Sequence, residues 1–472
     1  MAAKTMATTP RSVLMVCYHF PPVAEVGGIR PAKFAKYLPE FGWKPCVLTI
    51  RAGESISHDP SRLRDVSHVE IHRTGVWPTL PDLGVRVKRR LAHTFRGQAP
   101  APAEPLAPPE KASRGEAIST ASLVARIKRV LVSIFELPDP HIGWLFPAVW
   151  KGCQLVRANR VSTIYATAPP TTPTVVAYVL SLLTGLPLIF DLRDPWILHE
   201  RKDPSVRTRL SDALDRWLER RLTVRAQAVV SATTHYTDHL RARYHWLPPD
   251  RFSTIPNGFD TSDFSCGSIK STRNERLTMT YVGTFYLGRT PQQLLEALGR
   301  LIHQGSMDPE MIRVRLFGDV RHAEGIPVEE MIRANGLNGC VHVSNRVPYP
   351  EAIREIQEAD VLLLFAPRQY FSIPGKAFEY LGAQKYILCL GQEGATADLV
   401  RTTGSGIVVD PYNVSEIAAV ISKLYNTWKT TGTIRMQCDT RPFERRELTR
   451  QLACVLDRIS GTSSNGRYSS VS

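Results

Sequence analysis

Residues 12–50 read SVLMVCYHFPPVAEVGGIRPAKFAKYLPEFGWKPCVLTI. The stretch decides the fold class. Ser12 to Tyr18 is a short, unbroken, largely apolar run, as expected of a strand covered on both faces. A loop from Pro21 to Gly28 follows, ending in two adjacent glycines. From about Ile29 to Phe41, the residues Phe34, Tyr37, Leu38 and Phe41 recur at helical spacing, and Gly42 ends that helix. A second apolar strand, Pro45 to Ile50, begins almost at once. Strand, glycine loop, helix, strand is one βαβ unit of a parallel sheet.

The same alternation continues outward from this unit. No charged residue occurs from Val161 to Phe190, a length that would span a bilayer. Pro169, Pro170, Pro173, Gly185 and Pro187 break it, so it parses as a strand at 163–166, a loop, a helix and a strand at 188–191. Thr171 or Thr172 is expected to cap that helix, with Pro173 in its first turn and Gly185 just past its end. A helix around 205–224, a strand 226–231, a helix 233–244 and a strand ending at Ile255 come next, then the turn Pro256-Asn257-Gly258. A polar linker, 266–276, separates these from a second series. Its strands fall near 278–282, 312–317, 340–344, 360–365, 386–390 and 406–409. Its helices fall near 291–304, 327–335, 349–358, 375–383, 394–402 and 414–427. A last helix, 443–459, precedes a Ser/Gly-rich tail. The chain therefore reads as α/β, with two doubly wound Rossmann-like domains facing across a cleft. The domains are 1–265 and 266–440, with a terminal helix and tail at 441–472.

Composition bounds the function. The chain has 472 residues, of which 43% are apolar and 22% charged, an ordinary globular balance. Lys and Arg number 59 against 44 Asp and Glu, a net charge of +15, so an anionic partner is expected. Nucleic acid ranks low, because basic and acidic residues are interspersed over much of the chain and no nucleic-acid motif occurs. Eight scattered cysteines include no C-x-x-C pair, which fits a reduced, cytoplasmic protein without a disulfide frame or zinc site. The first residues lack the apolar core of a signal peptide. Residues 86–96 are basic, 97–115 are rich in Pro and Ala, and 121–136 (ASLVARIKRVLVSIFE) has the pattern of a basic amphipathic helix. The segment is read as an insertion whose helix packs on the first domain, or as a contact with an anionic membrane surface.

Residues able to do chemistry collect at strand ends. Pro374-Gly-Lys-Ala-Phe-Glu-Tyr-Leu381 opens a helix after the strand ending at Phe365. A helix N-terminus offers free N–H groups to a phosphate. Gly375 permits close approach there, and Lys376 adds a positive charge. Glu379, one turn in, can accept two ribose hydroxyls, or it is an ordinary exposed helix residue. Gly27 and Gly28 precede the first helix, either beneath a ligand's phosphates or in a tight turn needing positive φ. Asp191, Arg193 and Asp194 end a strand at the expected cleft edge. Asp194 is a candidate general base. Asp191 is read rather as an ion-pair partner of Arg193. His19 and His141 are further cleft candidates.

These segments together resemble the family 4 retaining glycosyltransferases of GT-B fold. The resemblance rests on His19-Phe-Pro-Pro22 with Gly27, Gly28 and Arg30, and on Pro138-Asp139 with Gly143-Trp144. It rests equally on 166–170, 191–196, 256–258, Val282-Gly-Thr284, and Pro374 to Leu381 followed by 386–391. It covers about residues 12–460 outside 97–120. It implies a nucleotide-diphosphate sugar as substrate, held by Gly27, Gly28, Gly283, Thr284, Arg289, Gly375, Lys376 and Glu379. It implies Asp194, Arg193 and His19 near the reacting groups, and a glycan or lipid-linked acceptor. No cofactor or metal is expected, since Asp-x-Asp is absent. Two departures stand out. Phe371 occupies the place of a family glutamate eight residues before Glu379, and Thr284 stands where an arginine is common. A sugar-nucleotide 2-epimerase and a catalytically degenerate binding protein of the same build are the alternatives. The expected location is cytoplasmic, with a possible peripheral position on the inner membrane face.

Overall fold

The computed structural model describes residues 11–51, 53, 57–79, 137–197, 208–264, 274–286, 288–436 and 438–461. The basic stretches 86–96 and 121–136, the Pro/Ala-rich 97–115, most of the 266–276 linker and the tail lie outside these. By contacts the chain divides into two compact units, residues 1–32 with 43–229 and residues 33–42 with 230–472.

The first sheet contains β1 (Arg11–Val16), β2 (Trp43–Ile50), β3 (Glu70–Thr74), β4 (Val161–Ala168), β5 (Leu188–Leu192), β6 (Ala228–Ser231) and β7 (Phe252–Thr254), in the order β3-β2-β1-β4-β5-β6-β7. β1 pairs in parallel with both β2 and β4. Val13 to Val16 are fully buried, as their unbroken apolar run requires. The helix Ile29–Tyr37 is followed by a 3₁₀ turn, Leu38–Phe41, and Gly42 closes it at φ 80°, where glycine costs least. The uncharged stretch resolves into β4, the helix Thr172–Thr184 and β5. Among the described residues, no helix is long and apolar enough to cross a membrane.

The cap of the Thr172–Thr184 helix differs from the expectation. Neither threonine side chain caps it. Asp139 does so instead, accepting from the Thr171 and Thr172 amides at 2.5 and 2.7 Å and from the Thr172 hydroxyl at 2.6 Å. A carboxylate satisfies the orphan N–H groups and complements the helix dipole better than a hydroxyl would. Because Asp139 lies 32 residues upstream, no local pattern reveals it.

The pairing at the end of β5 also differs. Asp191 is matched not by Arg193 but by Arg30, whose Nε and Nη2 donate to its two oxygens at 2.8 and 2.9 Å. The Tyr165 hydroxyl donates to the same carboxylate at 2.5 Å. Arg30 and Asp191 are 1% and 0% exposed, so each charge depends on the other for compensation.

The second unit contains β8 (Leu277–Thr284), β9 (Ile312–Asp319), a small hairpin of β10 (His322–Ala323) and β11 (Ile326–Pro327), then β12 (Val341–Ser344), β13 (Val361–Ala366), β14 (Tyr386–Gly391) and β15 (Gly406–Val409). Its main sheet runs β12-β9-β8-β13-β14-β15 and is parallel throughout. In both sheets the order reverses at the first strand, which is the doubly wound Rossmann-like arrangement.

Removing one partner of the buried pair isolates its contribution. Arg30→Met leaves Asp191 buried without its paired guanidinium and should destabilise the fold by about 3–5 kcal/mol. Arg30→Met with Asp191→Leu should recover much of that loss. Urea midpoints for the two variants check this, and a wild-type midpoint for Arg30→Met would show the pair to be dispensable.

Candidate active site

In a parallel sheet that reverses order, the gap opens at the carboxyl ends of the two strands flanking the reversal. In the second unit these are β8 and β13. β8 pairs with β9 along all of Leu277 to Thr284, but its register with β13 covers only Met279–Val361 and Thr280–Leu362. Beyond that point one side chain spans the parting strands. The Tyr380 hydroxyl accepts from the Val282 amide at 3.3 Å and donates to the Leu363 carbonyl at 3.2 Å. Tyr380 is fully buried, and it satisfies two backbone groups that the open ladder would otherwise leave unpaired.

The helix Gly375–Gly382 starts at this opening. Ala377, Phe378, Tyr380 and Leu381 are buried in the sheet, which leaves Lys376 and Glu379, three residues apart, on one half-exposed face. No side chain caps the N-terminus. A Cβ placed on Gly375 would meet nothing within 4 Å, so the helix start is open on that side. The Lys376 ammonium lies where a Cβ on Gly283 would sit, so only glycine allows it there. Its Nζ is 4.0 Å from the centroid of the Tyr281 ring and donates to the Tyr281 hydroxyl at 2.8 Å. That hydroxyl donates on to the Thr284 carbonyl at 3.0 Å. Burial, with the nearby Arg289 charge, pushes the Lys376 amine well below its ordinary range, and Glu379 opposes this. The Arg289 guanidinium stacks 4.4 Å from the Tyr286 ring centroid, and the side chain is largely buried.

Glu379 sits in mixed company. Burial pushes its carboxyl up, Lys376 pulls it down, Asp263 pushes it up, and Arg445 and a Tyr349 hydrogen bond pull it down. Phe371 does not face solvent alone. Its ring meets His239 edge-on at 5.3 Å and Tyr236 at 6.3 Å, and its carbonyl accepts from the Thr233 hydroxyl at 2.7 Å. The second unit therefore brings Gly283, Thr284, Arg289, Gly375, Lys376 and Glu379 to one end of one sheet. Sequence reasoning gave no role to Tyr281, and it placed Tyr380 only within the Pro374–Leu381 segment, without the hydrogen bonds its hydroxyl makes.

The first unit gathers its own set at the carboxyl ends of β1, β4 and β5. Gly27 and Gly28 lie in a 3₁₀ turn, Val26–Gly28, and neither has positive φ. What they require is room. A Cβ on Gly27 would come within 3.2 Å of the Arg193 guanidinium, and one on Gly28 within 3.3 Å of the His19 backbone. The Arg193 guanidinium holds this turn. It donates to the carbonyls of Ala168 (3.1 Å), Gly27 (2.6 Å) and Pro169. With those donors engaged, Arg193 is an organiser of the loop rather than a group aimed at a reacting atom. Asp194 is half-buried beside it, and its charge helps to keep Arg193 protonated against the effect of burial. His19 is half-buried, and its Nδ1 has no hydrogen-bond partner. Burial, then the neighbouring His141 and Arg193, lower its pKa to about 4, so the ring is neutral at physiological pH. Its lone pair there can accept a proton or a hydrogen bond.

Two family models match the chain. Glycosyltransferase Family 4 matches residues 80–263, and Glycosyl transferases group 1 matches residues 276–427. An alpha-D-kanosaminyltransferase of Streptomyces kanamyceticus is 22% identical over 257 residues, 52% of this chain and 63% of that protein. The chain thus spans under two thirds of the length of this curated relative. Among solved structures, a glycosyltransferase from Rickettsia africae superposes with TM-score 0.60 at 12% identity, covering 97% of this chain and all of the other. Anabaena HepE in complex with UDP gives TM-score 0.59 at 15% identity, covering 95% of this chain and all of the other. At these identities the structures speak for the fold.

The lowered His19 pKa has a sign that stability can read. An unfolded histidine titrates near ~6.5, so between that value and about 4 the unfolded chain binds more protons. The His19 contribution is at its full value above that window and is lost as pH falls through it. Wild-type protein should lose more thermal stability between pH 7 and pH 4.5 than His19→Gln. Equal losses would mean that His19 titrates normally.

Proposed function

The chain belongs to the family 4 glycosyltransferases of GT-B fold, and we propose that it moves a sugar from a nucleotide-diphosphate sugar to a glycan or lipid-linked acceptor, with retention of configuration and without a metal ion. One observation carries the donor half of this reading: the uncapped helix N-terminus, open beside Gly375, with Lys376 and Glu379 on its half-buried face. The N–H groups and Lys376 suit a diphosphate, and Glu379 suits the paired hydroxyls of the ribose. The complex of HepE with UDP supports a nucleotide in this class of fold.

Transfer on one face of the sugar needs no enzyme nucleophile. The demand falls on positioning the acceptor and on stabilising charge as the diphosphate departs. Lys376, Arg289 and the helix dipole supply positive potential without metal coordination. In the first unit, His19 or Asp194 receives the acceptor proton or orients the hydroxyl, and Arg193 fixes the loop that carries Gly27 and Gly28. Phe371 puts an aromatic ring where a carboxylate is common, which favours a donor sugar with an apolar face over one recognised by a hydroxyl–carboxylate bond. A cytoplasmic site of action agrees with the cysteine pattern.

Glu379→Gln keeps the shape and removes the charge. It should weaken nucleoside diphosphate binding by ~1.5–3 kcal/mol, on the order of 10- to 100-fold, with melting temperature nearly unchanged. Calorimetry and thermal melting on the one variant separate the possibilities, since wild-type affinity with a lowered melting temperature would make Glu379 structural. Transfer should also survive EDTA. Activity lost on chelation and restored by manganese or magnesium would overturn the metal-independent reading.

A further inference from the structure

A charge withdrawn from water needs an opposite charge beside it. Lys376 enters no ion pair among the described residues. The residue as a whole is half-buried, but its amine is turned inward, 4.0 Å from the centroid of the Tyr281 ring, in space that only a glycine at 283 leaves open. Its hydrogen-bond acceptor there is the Tyr281 hydroxyl at 2.8 Å, which donates on to the Thr284 carbonyl. That hydroxyl is no counter-ion. Burial pushes the Tyr281 phenol well above its ordinary range, so it stays neutral at physiological pH. From the segment after β8, the Arg289 guanidinium, stacked on Tyr286, opposes a second positive charge. On the same helix, Glu379 favours that charge without pairing with it, and burial pushes the Glu379 carboxyl up as well. The balance of these groups leaves a protonated Lys376 poorly compensated by the chain itself.

We infer that binding of a nucleoside diphosphate at this site draws one proton from solvent onto the Lys376 amine. The inference rests on the donor reading above and deepens it. A diphosphate is the opposite charge that the arrangement lacks. An anion within about 4–6 Å favours the charged form of an amine, and it does so more strongly where water is thin. The lowered Lys376 amine agrees with this, since burial first and Arg289 second disfavour its charge until an anion arrives. The step balances simply. The nitrogen lone pair takes the proton, the buffer loses it, and no bond of the nucleotide changes. Its sign follows from linkage. Between the value of the amine in the free protein and its higher value in the complex, the complex holds more protons. Affinity therefore falls as pH rises through that window, by up to about tenfold per pH unit for one proton. Tyr281 is the positioning residue of this device, holding the amine over Gly283 by ring and hydroxyl.

The test is isothermal titration calorimetry of the full chain with UDP, ADP, GDP and dTDP at pH 8.5, each in two buffers of different ionisation enthalpy. At that pH a terminal phosphate, with its second pKa near ~6, and an ordinary histidine, near ~6.5, have already lost their protons. The tightest-binding nucleotide should show uptake of about one proton, and its affinity should fall from pH 8 to pH 9.5. Lys376→Met keeps the length of the side chain and removes the titrating group. It should weaken binding on the order of tenfold and abolish the uptake. Glu379→Gln should weaken binding yet keep the uptake, which separates the two groups. Wild-type heats that are equal in the two buffers would overturn the inference and leave the donor reading standing, a result that needs no variant to fold. Uptake retained by Lys376→Met, or lost in Glu379→Gln, would place the proton elsewhere and overturn it too. Failure of all four nucleotides to bind would overturn the donor reading and the inference together.

Discussion

A parallel sheet whose order reverses at its first strand must leave that strand's carboxyl end uncovered on one side. The candidate donor site is built on this constraint. β8 follows β9 along its whole length but keeps register with β13 for only two residue pairs. The strands part, and their backbone groups lose partners at the place where a ligand can enter. Tyr380 makes the parting tolerable by spanning it with one hydroxyl. Its helix neighbours on the outward side, Lys376 and Glu379, are thereby turned toward the opening. Gly283 leaves space for the Lys376 ammonium, and Tyr281 receives it.

The first unit meets the same topological demand with different chemistry. Its strand-end loops are joined by a network of side chains reaching distant backbone. Asp139 caps the helix after β4, and Arg193 gathers carbonyls from the loops after β1 and β4. Beneath them, Arg30 and Asp191 link the first helix to β5 through a pair withdrawn from water. Such a pair gains stability only when both members are present and well aligned. Its value here lies in geometry: it ties together the two elements whose ends carry Gly27 and Arg193.

Much of this was legible in the sequence. Unbroken apolar runs such as Val13–Val16 and Val361–Phe365 announce strands buried on both faces, and Gly42 and Gly185 mark helix ends by the conformation they adopt. The helix opening at Gly375, with Lys376 and Glu379 at their spacing, could be placed from pattern alone. β3 could not, because Glu70-Ile-His-Arg-Thr74 is only half-buried and lacks the apolar run of the inner strands. Partners far apart in sequence were also out of reach. Asp191 lies two residues before Arg193 yet pairs with Arg30, 161 residues away, because Arg193 falls past the end of β5 and spends its donors on the carbonyls of Ala168, Pro169 and Gly27. The two glycines before the first helix were read either as lying beneath a ligand's phosphates or as a tight turn needing positive φ. Neither has positive φ, and both pack closely, Gly27 against Arg193 and Gly28 against the His19 backbone.

The Tyr380 seam also bears on how this sequence can drift. Elsewhere in the core, an apolar residue of equal shape is a mild exchange. At position 380 the usual rule fails. Phenylalanine would fill the same volume, yet it would strand the Val282 amide and the Leu363 carbonyl in a dry interior, at roughly 1–3 kcal/mol for each group left unpaired. One codon base separates tyrosine from phenylalanine, so this change arises often by chance. The open end of the sheet is thus guarded by a single oxygen atom, and purifying selection at that position would act on hydrogen bonding rather than on bulk or hydrophobicity.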